Sequence, residues 1–334
     1  MRQRMTAGVG AAVLVVVVLA LNFYQLPVVA LSPGPAEDVL SRVKIQGGTP
    51  LYDSKGRFYL TSVGIDDDVR FFEAILDLAN RDVQLRARSD IYPQGESTQQ
   101  VNQQNADDMD ESKVLAAVVA LRKLGYKVDP SAVDVTEVRP GAPADGKLRA
   151  GDRLVRIEGR PVSSIQQLQD VIRGHHPGDT LTLVVRRGGD DVAVRVPVAL
   201  DDGQPRIGVV LREEYGKLPV PVSIDTENIG GPSAGLMFAL SIYDRLTPGD
   251  LTGGRRIAGT GQITEDGSVV AIGGIGEKIV GAKRQGATVF LLPRGNCDEA
   301  RKHPPPGLRL VPVSNVNDAI AFLQSRPGEA APHC

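Results

Sequence analysis

A serine between glycines marks the stretch of this 334-residue chain that is best suited to chemistry. Ser233 lies in the sequence GGPSAG, residues 230–235, and an apolar run at helical spacing follows it. This pattern predicts a hydroxyl at the start of a buried helix, beside main-chain N–H groups that can bind an oxyanion. Pro232, Ala234 and Gly235 form the turn that would shape such an oxyanion site. The same position also suits a simple helix N-cap.

Lys278 is the candidate base for this serine, because a hydroxyl is a weak nucleophile until a neighbouring group accepts its proton. It lies in the first turn of a predicted helix, with Ile275, Ile279 and Ala282 on its face. Burial disfavours a charged amine and lowers its pKa from about 10.4, and the positive end of the helix dipole acts in the same direction. The alternative is a lysine whose stem packs on the core while its amine reaches solvent.

Histidine is the more usual partner of a catalytic serine. Gly231 to Gly235 match the Gly-x-Ser-x-Gly pattern of α/β-hydrolases, which would need a later histidine such as His303. That residue lies in the proline-rich sequence KHPPP, which is more typical of a surface loop. An esterase that uses Ser233 and His303 therefore stays open as an alternative.

Composition limits the other possibilities. The length allows two or three domains, and a net charge of −2, 4% aromatic residues and no tryptophan argue against nucleic-acid binding. Two cysteines and four scattered histidines argue against a metal site. Cys297 and Cys334 can either form a disulfide or be two unrelated thiols.

The N-terminus predicts a membrane anchor. Arg2 and Arg4 precede an apolar run from Ala7 to Leu21, so residues 1–30 are expected to form a signal anchor, that is, an N-terminal transmembrane helix. The expected location is the cell membrane, single-pass, with the bulk of the chain outside the cytoplasm. Alternatively, residues 28–30 form a signal-peptidase site and the protein is released.

An N-terminal region, residues 31–123, is expected to join a later domain in part. Residues 57–65 alternate as a strand does, and residues 68–79 and 112–124 have helical periods. Residues 81–104 are polar and turn-rich, and we predict a mobile loop there.

Residues 124–200 resemble a PDZ domain. The turn RPGAPA at residues 139–144, the strand GDRLVRI at 151–157 and the amphipathic helix at 164–174 occur in that family's order. The resemblance implies binding of an extended peptide by strand addition, with its terminal carboxylate held in a main-chain loop. We expect that loop near Leu124, Gly125 and Tyr126.

Residues 205–326 resemble the proteolytic domain of Lon proteases. The matching motifs are GGPSAG, AGTGQI at residues 258–263, IGGIGEKIVGA at 272–282 and the strand GATVFLLP at 286–293. The resemblance implies that Ser233 is the nucleophile, Lys278 its general base and Thr260 the residue that hydrogen-bonds the lysine amine. Where Lon usually has an aspartate, three residues before the serine, this chain has Gly230.

No Gly-x-x-x-x-Gly-Lys-Ser/Thr nucleotide loop occurs in the sequence, so the chain resembles the ATP-independent, PDZ-containing Lon-like proteases. The resemblance implies an α+β multidomain protein, with the PDZ domain either inserted in the protease domain or a simple neighbour of it, and with residues 327–334 as a tail. It also implies polypeptide substrates, no cofactor and a homo-oligomer, a hexameric ring. The rival from another class is a catalytically silent, membrane-tethered PDZ scaffold.

Overall fold

A computed structural model describes residues 25–93, 95, 97–227, 229–302, 306–325 and 333–334. The strands are β1 (Val28–Asp38), β2 (Val43–Ile45), β3 (Arg57–Asp66), β4 (Gln84–Ala87), β5 (Ala132–Val138), β6 (Arg153–Ile157), β7 (Arg160–Pro161), β8 (Thr180–Arg187), β9 (Asp190–Pro197), β10 (Ala199–Asp201), β11 (Gln204–Arg206), β12 (Val209–Glu214), β13 (Val222–Ile224), β14 (Arg256–Gly259), β15 (Gln262–Ile263), β16 (Val269–Val270), β17 (Val289–Pro293) and β18 (Arg309–Val313). The helices are α1 (Phe71–Ala79), α2 (Arg88–Ile91), α3 (Thr98–Lys123), α4 (Ile165–Arg173), α5 (Gly235–Leu246), α6 (Ile275–Arg284), α7 (Cys297–Ala300) and α8 (Val316–Gln324).

The chain divides into two compact units. The split unit contains the chain up to Gly125 together with Val220–Cys334, and the inserted unit is Tyr126–Pro219. Thus α3 leads into the inserted unit, and the chain returns to the split unit just before β13.

The main sheet of the split unit has the strand order β18-β17-β14-β3-β1-β4. Strands β3, β14, β17 and β18 run parallel, whereas β1 is antiparallel to β3 and β4. All five residues of β17 are buried, as expected of an apolar strand covered on both faces. The early strand at residues 57–66 therefore pairs directly with the strand that precedes Thr260.

Two helices of the split unit carry the residues of interest. Helix α5 is apolar from its start, and Leu236 to Leu240 are fully buried. Helix α6 packs one face on the core through Ile275, Ile279 and Ala282, next to Phe290 and Leu292 of β17. Because both helices are fixed by buried contacts, the side chains at their first turns have defined positions.

The predicted mobile loop at residues 81–104 is wrong, because the structure has the first part of helix α3 and a strand there. Helix α3 begins at Thr98, after a capping box at Ser97. The Ser97 side chain accepts a hydrogen bond from the Gln100 N–H, and the Gln100 side chain accepts one from the Ser97 N–H. The polar first half is further supported by hydrogen bonds four residues apart, such as Gln103 to Asp107. Residues 84–87 of the same stretch form the edge strand β4.

The inserted unit contains a sheet with the order β12-β5-β6-β8-β9, and β7 pairs with β6. Helix α4 covers it, and Leu168 and Ile172 of that helix join the apolar core. Strand β12 pairs antiparallel with β5, so that Val209 lies opposite Val138. This differs from the predicted boundaries, which ended this domain at residue 200 and assigned residues 207–211 to the next one.

The predicted transmembrane helix at residues 1–30, and with it the single-pass membrane location, needs correction. Residues 28–30 begin β1, a strand inside the main sheet, and Val29 is fully buried there. No helix within the described ranges is long and apolar enough to cross a membrane. Residues 1–24 lie outside the described residues. The prediction extended the apolar segment to residue 30, and a short apolar run such as residues 28–30 is typical of a buried strand as well as of a helix.

A disulfide joins Cys297 to Cys334, with their Cα atoms 5.2 Å apart. The sequence left open either a disulfide or two unrelated thiols, and the structure has the disulfide. Cys334 packs against the core on which α6 lies. The last residue of the chain is thereby attached to the split unit.

Candidate active site

Ser233 lies in a tight turn at the start of α5. A 3-10 turn, Pro232–Ala234, precedes the helix, and Gly231 before it has φ +83°, a conformation that favours glycine. Pro232 occupies the first position of the turn, where its missing N–H leaves no acceptor unsatisfied. Ser233 is half-buried, whereas the residues that follow it are buried. The hydroxyl is therefore fixed in place yet still accessible.

The Lys278 amine lies beside this hydroxyl. Its Nζ is 2.8 Å from Ser233 Oγ and 3.3 Å from Thr260 Oγ1. The residue is 5% exposed, and it lies in the first turn of α6, where its N–H donates to the Gly274 carbonyl. Burial lowers the pKa of Lys278 to about 8, and the neighbouring Glu277 carboxyl opposes this in part.

Thr260 connects the serine turn and the lysine. It is fully buried at the end of β14, and its Oγ1 donates to the Ser233 carbonyl at 3.0 Å. The Gly261 N–H donates to the same carbonyl at 2.7 Å. Since the Thr260 proton is used in this way, its oxygen lone pairs remain to accept an N–H from Lys278.

This arrangement can support acyl transfer. A neutral Lys278 can donate one N–H to Thr260 and direct its lone pair at the Ser233 hydroxyl, so that it can accept that proton. The N–H groups of Ser233 and Ala234 lie in the first turn, where a helix lacks internal acceptors. Of the predicted oxyanion residues, Pro232 has no N–H and the Gly235 N–H donates to the Pro232 carbonyl.

Sequence reasoning missed three residues around this site. Asn105 and Ser112 of α3 hydrogen-bond to the main chain of the serine turn. Glu277 is 2% exposed beside Lys278, and burial raises the pKa of its carboxyl. The spacing of Asn105 and Ser112, two helical turns, was the available signal, but the N-terminal half of α3 was predicted as a loop. His303, the alternative base, lies outside the described residues.

The inserted unit has a groove between α4 and the beginning of β12. A cavity of about 250 Å³ is lined there by Leu168, Ile172, Ile207 and Val209, and Arg139, Arg173 and Arg206 lie at its rim. The predicted peptide-binding loop lies elsewhere: Leu124 caps α3, Gly125 follows it with φ +88°, and Tyr126 is exposed. None of these three residues lines the groove.

Comparison with known proteins finds one family for each unit, although the first match begins inside α3 of the split unit and ends before β12. The family description of the PDZ domain matches residues 101–198, and that of the Lon protease (S16) C-terminal proteolytic domain matches residues 221–324. Lon protease of Porphyromonas gingivalis is 40% identical over 168 residues, 46% of this chain and 19% of that protein. Lon protease of Clostridioides difficile is 34% identical over 102 residues, 30% of this chain and 13% of that protein.

The solved PDZ domain of an SdrC-like protein from Listeria monocytogenes is 30% identical and covers 26% of this chain and 93% of that one, with a TM-score of 0.24. The chain spans less than a fifth of the length of the two Lon proteases, at 19% and 13%. The expected resemblance to both families is confirmed by the two family matches. Residues 101–198 thus match the PDZ domain family, and residues 221–324 match the proteolytic domain of the Lon proteases, a domain of serine endopeptidases.

Proposed function

We propose that this chain hydrolyses peptide bonds with Ser233 as the nucleophile and Lys278 as its general base, without nucleotide or metal. The observation that carries the proposal is the buried Lys278 amine, 2.8 Å from Ser233 Oγ. A lysine that only packed its stem would extend its amine to solvent, and this one points inward to two hydroxyls.

The reaction begins when Ser233 Oγ attacks the carbonyl carbon of the peptide bond and its proton passes to Lys278 Nζ. The carbonyl oxygen gains negative charge, which the N–H groups at the first turn of α5 stabilise. Protonated Lys278 then donates its proton to the leaving nitrogen, the C–N bond breaks, and an acyl-enzyme on Ser233 remains. Water, deprotonated by Lys278, attacks this ester and releases the second product with Ser233 again protonated.

Thr260 has a positioning role in this proposal. It holds the Ser233 carbonyl and accepts an N–H from Lys278. This orients the lysine lone pair toward Ser233 Oγ in the neutral state, and stabilises the ammonium after proton transfer.

The groove of the inserted unit supports a polypeptide substrate. Among the described residues β12 pairs with β5 alone and is an edge strand of its sheet, so an extended peptide can add there through main-chain hydrogen bonds. The apolar lining suits an apolar C-terminal side chain, and the arginines at the rim favour a terminal carboxylate. Two of them, Arg139 and Arg206, already share Asp201.

A homo-oligomer, a hexameric ring, remains a prediction from the family resemblance. Light scattering of the purified chain measures its mass directly. A monomeric mass at active concentrations would contradict the ring.

Hydrolysis of a reduced and alkylated protein, which stays unfolded, tests the dyad. Wild type should cleave it without ATP, and Ser233→Ala and Lys278→Ala should each lose about a thousandfold or more in kcat. Lys283→Ala, on the same helix, is the matched control and should retain activity.

Two outcomes would favour the rival functions. An inert wild type that still binds peptides would indicate a PDZ scaffold. Loss of activity in His303→Ala, with Lys278→Ala still active, would indicate an esterase-like Ser-His site.

A further inference from the structure

Helix α3 contacts the serine turn, residues 231–234, at main-chain groups other than the one that Thr260 binds. The Gly231 N–H donates to the Asn105 carbonyl at 2.7 Å, and Ser112 Oγ donates to the Pro232 carbonyl at 3.1 Å. Asn105 and Ser112 are seven residues apart, so both lie on one face of the helix. The two residues that immediately precede Ser233 are thus bound to one helix.

The approach of α3 to this turn leaves almost no space. A Cβ added at Gly230 would lie 3.0 Å from Asn105 Cβ, and one added at Gly235 would lie 2.9 Å from Ser112 Oγ. Both distances are at or inside the closest approach that side chains normally tolerate. The space that a side chain at position 230 would need is therefore occupied by α3, which accounts for the glycine at that position.

Ser112 has the character of a positioning group. It is 3% exposed, and its hydroxyl donates to a carbonyl that also accepts from the Gly235 N–H. Thr260 and Gly261 hold the next carbonyl, that of Ser233. The turn is consequently held between two rigid elements, and release of either one lets Ser233 Oγ move away from Lys278.

We propose that Asn105 and Ser112 are positioning residues for catalysis: by holding residues 231 and 232, α3 places Ser233 Oγ within proton-transfer distance of Lys278. This inference rests on the proposed function. Since the contacts are with the enzyme's own main chain and not with substrate, loss of either one should lower kcat and leave KM in place.

Ser112→Ala is the first test, on the full chain with the unfolded substrate. We expect kcat to fall by about fivefold or more, with KM changed by less than about twofold. The acid limb of the pH–rate profile should stay in place, because the surroundings of Lys278 are unchanged. Ser241→Ala is the matched control: Ser241 is also fully buried and donates to a carbonyl, that of Met237, but does not touch the turn.

A second test does not depend on the loss of a hydrogen bond. Gly230→Ala should push the turn from α3 and lower kcat by about fivefold or more. Adding Asn105→Gly removes the Cβ that the new methyl meets, and kcat should rise again by about the same factor. Adding Ala106→Gly instead, on the exposed face of the same turn of α3, lowers helix propensity more than Asn105→Gly does and should restore nothing.

The outcomes separate this inference from the dyad itself. If wild type hydrolyses the substrate but Ser112→Ala keeps full kcat, or loses no more than Ser241→Ala, then α3 does not position the nucleophile. Equal recovery of Gly230→Ala by Asn105→Gly and Ala106→Gly would also overturn it. An inert wild type would instead overturn the proposed function.

Discussion

Replacing Lys278 with methionine should abolish hydrolysis and yet stabilise the folded protein at neutral pH. The residue is 5% exposed and its pKa is lowered to about 8 by burial. Below that pH the folded protein therefore holds a buried ammonium group. Methionine keeps an unbranched apolar stem of similar length and carries no charge.

The magnitude follows from the change in pKa between the unfolded and folded states. A fall from 10.5 to about 8 corresponds to about 3 kcal/mol of lost stability at pH 7. Between these two pKa values the unfolded chain binds the additional proton, so wild-type stability rises with pH across this window. This loss of stability is complete below about pH 8 and disappears above about pH 10.5. The hydrogen bonds of Nζ to Ser233 and Thr260 offset part of the gain, by about 1 kcal/mol each.

Urea unfolding of wild type and Lys278→Met can be monitored by hydrogen exchange of residues 235–246. This probe reports on the split unit alone. The variant should be more stable by about 1–3 kcal/mol at pH 7, and this gain should shrink by about 2 kcal/mol at pH 9.5. Lys283→Met, on the same helix, controls for the loss of a positive charge. A variant less stable than wild type at pH 7, or a gain equal at both pH values, would refute the reasoning.

Four further changes have defined outcomes. Because the base must be neutral, and its pKa is about 8, kcat/KM should rise about tenfold from pH 7 to pH 9, whereas a lysine of ordinary pKa would give about a hundredfold rise. Gly281→Ala would place a Cβ 2.6 Å from a carbonyl oxygen of β1, so thermal unfolding should show a loss of about 1–3 kcal/mol together with a lower kcat. Ile172→Asp in the groove should raise KM for a long unfolded substrate and leave hydrolysis of short peptides intact, as steady-state kinetics would show. The double variant Cys297→Ser, Cys334→Ser removes the disulfide without leaving a free thiol, and its free energy of unfolding should be lower by about 2–4 kcal/mol in calorimetry.

The proximity of the candidate site residues could be predicted because these residues lie in local motifs. Ser233, Thr260 and Lys278 each begin or end an element whose glycines and apolar residues are visible in the sequence. The structure brings the three together around a single amine. The lowered pKa was also foreseeable, since the apolar face around Lys278 predicts burial of the amine.

What escaped prediction depends on contacts between distant parts of the chain. The polar first half of α3 is stabilised by its capping box and by packing on the serine turn, and its composition alone resembles a loop. Residues 28–31 are apolar enough for a helix and become a strand because β3 and β4 pair with them. Strand β12 belongs to the inserted unit only through its pairing with β5.

The order of the elements along the chain has a consequence for synthesis. Strand β3 pairs with β14, and the whole inserted unit lies between them in sequence. A ribosome therefore releases the inserted unit completely before it releases Ser233, Lys278 or the strand that completes the sheet around them. Because pairing of distant strands must wait for both to emerge, whereas a continuous domain folds as a unit, the candidate site forms last. The candidate site of the nascent chain therefore stays incomplete until the inserted unit has been synthesised.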